Sequence, residues 1–147
     1  MDTTPTDAFA RITTLARATF DQVESFADFT PARAILRLSA TYGAYQVLVT
    51  ELISQDARQY RYYVLRGEFV EAGFDNSPDP RVIRLKYGRI GAEHANEPVP
   101  HLHRADKTQL LLTKDMTFEA FMDWLKANIK PHDDKRENDS SETSSLA

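Results

Sequence analysis

Two histidines one residue apart, His101 and His103, are the side chains of this 147-residue sequence best suited to chemistry. If the His-Leu-His segment is extended, side chains alternate across it and both imidazoles point to the same side. There they could work as a base and an acid, share a metal, or be ordinary polar histidines of a loop. As a zinc or iron site the pair is incomplete without a carboxylate or a third histidine. His94 lies upstream. Asp75 offers a carboxylate within Phe74-Asp75-Asn76, just ahead of Ser77-Pro78. That tripeptide reads either as an Asx turn that stops a strand or as a strand end that delivers a carboxylate and an amide to a surface. In the second reading Asp75 orients His101 or His103 and fixes its tautomer, as an aspartate does for a catalytic histidine.

Basic and aromatic residues interleave nearby: Arg58, Tyr60, Arg61, Tyr62, Tyr63 and Arg66, then Arg81, Arg84, Lys86, Tyr87 and Arg89. A strand that presents Arg and Tyr can hold phosphates and stack bases. It can equally be a solvated sheet face whose tyrosines rim a core. Asn76, Arg61, Arg66, Arg84, Lys86 and Arg104 are the candidate substrate-binding residues around the catalytic candidates His101, His103 and Asp75.

Such residues need a scaffold, and the hydrophobic pattern supplies one. Phe9, Ile12, Leu15, Ala16, Phe20, Val23 and Phe26 recur at helical spacing and predict a helix over 7–27, with Asp7 as its N-cap and Phe29-Thr30-Pro31 as its stop. Alternating residues over 34–41 and 45–50, with Gly43 between them, predict two strands. Two more are expected within 58–66 and 69–75, punctuated by Gly67. Turns this short force antiparallel pairing. Beyond the turn at 75–80, residues 82–90 read as a further strand and 108–112 as a last short one. Phe118, Phe121, Met122, Leu125 and Ile129 share one face of a closing helix that Thr117 can cap, with Met116 as a hydrophobic staple. Trp124 reads as packing, and Asp7, Asp21, Glu24 and Asp28 as a solvated helix face. The expected fold is α+β: an antiparallel meander of four to six strands, with an N-terminal and a C-terminal helix on one face. Residues 1–130 are expected to form one domain, and 131–147, with almost nothing to bury, a disordered acidic tail.

Composition removes several functions. There are no cysteines, which excludes disulfides, cysteine-ligated zinc, iron–sulfur clusters and cysteine nucleophiles. Five glycines include no GxxxxGK loop, and GxSxG and HExxH are also missing. No cofactor is expected. The polar start and the lack of a long apolar run point to a cytoplasmic protein with no membrane partner. The net charge of −4 does not advertise a nucleic-acid surface, although residues 58–107 are locally basic.

The order of these features resembles the TumE-type toxins of toxin–antitoxin systems, a family long known only as a domain of unknown function. In that family a strand ends in an aromatic or basic residue followed by Asp-Asn-Ala-Pro-His-His. A Phe-Pro-His-His-x-His segment and a C-terminal helix come next. Here the first motif reads Phe74-Asp75-Asn76-Ser77-Pro78-Asp79-Pro80 and the second Val99-Pro100-His101-Leu102-His103. The resemblance covers roughly residues 30–130 and carries over at Asp75, Asn76, Pro78, Pro100, His101 and His103. Asp79 and Pro80 stand where the family has two histidines, one histidine of the second motif is missing or shifted, and the spacer is longer. The resemblance implies a toxin that acts on RNA, with an antitoxin protein as partner. A metal-independent ribonuclease using histidine acid–base chemistry is consistent with it, since no carboxylate pair is present for two-metal hydrolysis. The alternative is a non-catalytic domain that binds nucleic acid or a protein partner. A homodimer is expected only because symmetric pairs are common.

Overall fold

The computed structural model describes residues 4–89 and 91–131. The tail expected over 131–147 lies outside the described residues beyond Pro131. Seven strands form one sheet in which every strand pairs antiparallel with its neighbours in sequence, β1 through β7. They are β1 (Asp21–Phe29), β2 (Arg33–Tyr42), β3 (Tyr45–Ser54), β4 (Arg58–Arg66), β5 (Phe69–Asp75), β6 (His101–Arg104) and β7 (Gln109–Leu112). Three α-helices accompany them among the described residues, α1 (Pro5–Thr19), α2 (Pro80–Tyr87) and α3 (Phe118–Asn128), with a 3-10 turn at Ala92–His94. The class is α+β as expected, with more strands and one more helix. Among the described residues no helix is long and apolar enough to cross a membrane.

Alternation along β2 to β6 sends one set of side chains to the main core. Leu36, Leu38, Val47, Val49, Tyr60, Tyr62, Val64, Phe74 and Leu102 meet Phe9, Ile12 and Ala16 of α1 and Phe118, Phe121, Met122 and Leu125 of α3. Both terminal helices therefore cover the same face. Thr117 caps α3 by accepting the Ala120 N–H at 3.1 Å. After α3, the Ile129 carbonyl accepts the Tyr42 hydroxyl at 2.8 Å, and the Pro131 carbonyl accepts the Ala44 N–H at 2.7 Å. Gly43 makes that approach feasible. Its φ is +61°, and a Cβ there would lie 1.5 Å from the Pro131 oxygen.

Two expectations need correction. The first helix stops at Thr19, and residues 21–29 form an edge strand rather than its continuation. The helical spacing of Phe20, Val23 and Phe26 misleads because pairing overrides it: β2 needs a partner on its outer edge, and residues 21–29 supply it. Phe26 is consequently 60 % exposed. The cap is Thr4, which accepts the Asp7 N–H at 3.1 Å, with Pro5 in the first turn; Asp7 sits inside that turn.

The second correction is α2, where a strand was expected over 82–90. Asp79 caps it by accepting the Arg81 N–H at 2.9 Å, Pro80 occupies the first helical position, and Gly88 ends it in the left-handed region. Val82 and Ile83 are buried with Val99 in a second, smaller cluster, which Leu110 and Tyr87 border.

Candidate functional site

The strand ending at Asp75 and the His-Leu-His segment lie side by side. Asp75 pairs with His101, and Gly73 with His103, in the β5–β6 register. Phe74 and Leu102 between them enter the main core. Asp75, His101 and His103 therefore project from the opposite face, as alternation requires. All three are buried, at 5 %, 1 % and 4 % exposure. Each can offer an oxygen or ring nitrogen within 4.8 Å of the other two. The imidazoles meet edge to face, with ring centroids 4.8 Å apart.

Hydrogen bonds distinguish the three. The His101 Nδ1 lies 2.7 Å from the Val99 carbonyl oxygen. A carbonyl can only accept, so Nδ1 carries a proton and Nε2 is the atom left to exchange one. Val99 therefore fixes this tautomer, the role the sequence suggested for Asp75. The Asp75 Oδ1 instead accepts the Ser77 N–H at 2.6 Å, an Asx turn, and Oδ2 stands 3.6 Å from the Arg61 Nε. The Asx-turn reading of this tripeptide is the one seen here, and the Asp75 carboxylate is buried. The His103 Nδ1 is buried without a hydrogen-bond partner. Burial, reinforced by the neighbouring charge of His101, pushes the His103 imidazole below the usual histidine range, against the opposing pull of Asp75.

A ring of cationic and aromatic groups adjoins the triad. Arg61 pairs with Asp75 across β4 and β5 and lies over the Tyr63 ring, 5.3 Å from its centroid. Lys107 is 5.4 Å from the same centroid. The Tyr63 and His103 rings are 6.3 Å apart. Gly73 leaves room for this: a Cβ there would come within 2.6 Å of the Tyr63 ring. Burial raises the Tyr63 phenol, Arg61 offsets part of that, and the charge of Asp75 raises it further.

Sequence reasoning missed Tyr63 and Lys107 as neighbours of the triad. A glycine inside the β5 pattern was the available signal for the first. Lys107 had none. It sits in the β6–β7 turn, where Ala105, Asp106 and Lys107 all take positive φ, between 52° and 70°. Left-handed backbone costs an L-residue about 1–2 kcal/mol. Asp106 anchors the turn on β5: its N–H donates to the Val70 carbonyl at 2.8 Å and its carboxylate accepts the Val70 N–H at 3.1 Å.

The other candidates scatter. Asn76 is buried, and its amide closes the backbone of β4, accepting the Tyr60 N–H at 3.0 Å and donating to the Arg58 carbonyl at 2.9 Å. Arg66 pairs with Glu71 at 3.1 Å, away from the triad at the far end of β4. Arg84 is exposed on α2, and Lys86 on the same helix reaches Glu97 at 3.5 Å. Arg104 lies on the main-core face, 5.3 Å from the Trp124 ring centroid. Tyr60 and Tyr62 belong to the core, so of the β4 tyrosines only Tyr63 faces the triad. Arg58 is held within a network of Glu51, Asp115 and Tyr62.

Chemically, each of the three groups can exchange a proton with a bound hydroxyl, or the three can hold a cation. Two ligands each about 2.1 Å from one ion are at most about 4.2 Å apart. The 4.8 Å span of the triad is wider than that, so the side chains must draw together to coordinate an ion. The chain matches no protein-family model, no curated protein and no solved structure.

Proposed function

We propose that this protein is an RNA-directed enzyme of the TumE toxin type, a metal-independent ribonuclease whose reaction centre is Asp75, His101 and His103. The observation that carries the reading is the meeting of two distant motifs: residue 75 and residues 101–103 are cross-strand neighbours with their polar groups on one face. These are the positions at which the sequence resembles the toxin family.

In the proposed reaction His103 is the base. Burial favours its neutral form, which has a lone pair to take a proton from a ribose 2′-hydroxyl. The freed oxygen attacks the adjacent phosphorus as the bond to the 5′-oxygen breaks. His101 donates through Nε2 to that leaving oxygen, its ring held by the Val99 carbonyl. Arg61 and Lys107 offset the charge of the phosphorane, and Asp75 opposes the charge on an imidazolium. Because His101 and His103 are buried, the segments over them must move to admit RNA. An antitoxin protein is the natural partner of such an activity.

The test is RNA cleavage by the purified full chain with excess chelator, beside the H101A/H103A double variant. Cleavage that survives the chelator and falls at least about a hundredfold in the variant is the expected result. Cleavage equal in both, or absent from the wild-type chain, overturns the reading. Expression in cells separates toxin from nuclease: growth inhibition should vanish with the same two histidines.

A further inference from the structure

The orphaned ring nitrogen of His103 is the least satisfied polar group of the site. Buried side-chain nitrogens are nearly always paired, because leaving one bare costs about 1–3 kcal/mol. Asp106 anchors the neighbouring turn through Val70, and Asp75 is engaged by Ser77 and Arg61. None of them donates to the His103 Nδ1 or accepts from it. His103 also offers a ring nitrogen within 4.8 Å of ligand atoms from a second imidazole and a carboxylate, and all three residues are buried. His101 donates Nδ1–H to a backbone carbonyl and so presents Nε2 as a lone pair. Metal-binding histidines are oriented in the same way, by donating the other ring N–H to a carbonyl or carboxylate.

We infer that Asp75, His101 and His103 form a reversible binding site for a borderline divalent transition-metal ion such as Zn²⁺, and that the ion inhibits the site by occupying the lone pairs that would otherwise move protons. The binding stands on the geometry alone; the inhibitory consequence rests on the function proposed above. Two imidazoles and one carboxylate select Zn²⁺, Cu²⁺, Ni²⁺ or Co²⁺ over Mg²⁺ and Ca²⁺, which prefer oxygen ligands. The span of the triad must contract from 4.8 Å to below about 4.2 Å, a small movement of side chains on adjacent strands. Arg61, 3.6 Å from Asp75, competes for the carboxylate. Lys107 lies over the adjoining Tyr63 ring and adds like charge. Both weaken the site, which suits an ion that comes and goes rather than a permanent structural metal.

The experiment is calorimetric titration of the full chain, purified with chelator and dialysed free of it, with Zn²⁺ and with Mg²⁺. One equivalent of Zn²⁺ should bind, Mg²⁺ should not, and H103A and H101A should each weaken Zn²⁺ at least about tenfold. His94 is the control. It sits 2.9 Å from Glu97 and 4.0 Å from Glu93 in a separate cluster, so H94A should bind as the wild type does. Should either site variant fail to fold, Co²⁺ added to the wild-type chain gives a second readout. Ligand-field bands together with paramagnetically shifted ring-proton resonances from two histidines support the site. No Zn²⁺ binding by the wild type, binding lost in H94A alone, or Co²⁺ that shifts no pair of histidines overturns it. RNA cleavage separates this inference from the function itself. Cleavage abolished by the chelator while Zn²⁺ binds at the triad removes the metal-independent reaction and leaves the site. Cleavage intact under saturating bound Zn²⁺ overturns the inhibition.

Discussion

The two faces of the sheet bury polar groups in opposite ways. On the α1 and α3 side, Glu51 is buried and fully matched. Arg58 meets its two oxygens at 3.0 and 3.3 Å, and the Tyr62 hydroxyl donates to it. Arg58 also donates to the Met116 carbonyl at 2.6 Å and to Asp115 at 3.1 Å. Burial and then the Glu51 charge hold the Tyr62 phenol far above its ordinary range, so it remains a donor. On the other side Asp75, His101 and His103 are as deeply buried, yet one ring nitrogen is bare and the carboxylate makes no bond to either imidazole. A saturated network fixes one arrangement. An unsaturated one keeps lone pairs and protons available to a substrate or an ion, and sites of function are where such local violations concentrate.

The difference predicts unequal costs of removal. Glu51→Ala should be the most damaging single change. It leaves Arg58 without its main counter-charge and the Tyr62 hydroxyl without its acceptor. Breaking a buried pair from one side costs about 3–5 kcal/mol, and the partly exposed Arg58 head puts this one near the lower figure. Urea unfolding measures it. A loss below about 1 kcal/mol would mean that the network is a surface pair in disguise, and the contrast between the faces would collapse.

Gly73→Ala comes next. The added methyl would meet the Tyr63 ring at 2.6 Å on the triad face, while the main-core face behind it stays untouched. Overpacking of this kind costs about 1–3 kcal/mol. The ring must move away from Gly73, and His103, paired across from that glycine, should feel it. The expected result is a moderate fall in the urea midpoint with shifted His103 ring resonances and unshifted Phe121 resonances. Equal shifts at both would show that the faces are mechanically coupled.

Much of this arrangement was legible in the sequence, for identifiable reasons. Period-two alternation locates β2 to β5, and in β4 it puts Tyr62 and Tyr63 on opposite faces. The His-x-His spacing fixed a common side for His101 and His103 once the segment was extended. For α2 the sequence does carry a signal against the strand expected over 82–90: Asp79-Pro80 followed by Gly88 is a helix start and stop. For β1 it does not, because Phe20, Val23 and Phe26 truly have helical spacing and only the unpaired edge of β2 decides against it. Which group holds His101 was also out of reach. The answer is a backbone carbonyl two residues away, and no side-chain pattern encodes it.

The smallest expected effect on stability sharpens the comparison most. His103→Leu replaces a bare, buried imidazole with an apolar side chain of similar size. Removing an unpaired polar group can be neutral or stabilising, so the urea midpoint at pH 7.5 should move by less than about 1 kcal/mol in either direction, while RNA cleavage is lost. The pH dependence gives an independent check. In the metal-free fold His103 titrates below its unfolded value, chiefly because burial disfavours the imidazolium. As pH falls through the ordinary histidine range near about 6.5, the unfolded chain takes up a proton that the native chain refuses. The unfolded state then binds more protons, so this group's contribution to stability is full above that range and declines on acidification until the native His103 is protonated too. His103→Leu should flatten that decline between about pH 7.5 and 5. Midpoints measured across the interval, with chelator present, would show the wild type losing stability relative to the leucine variant as acid is added. A leucine variant that is several kcal/mol weaker at every pH would mean that His103 is held by interactions as complete as those of Glu51, leaving the site without its distinguishing vacancy.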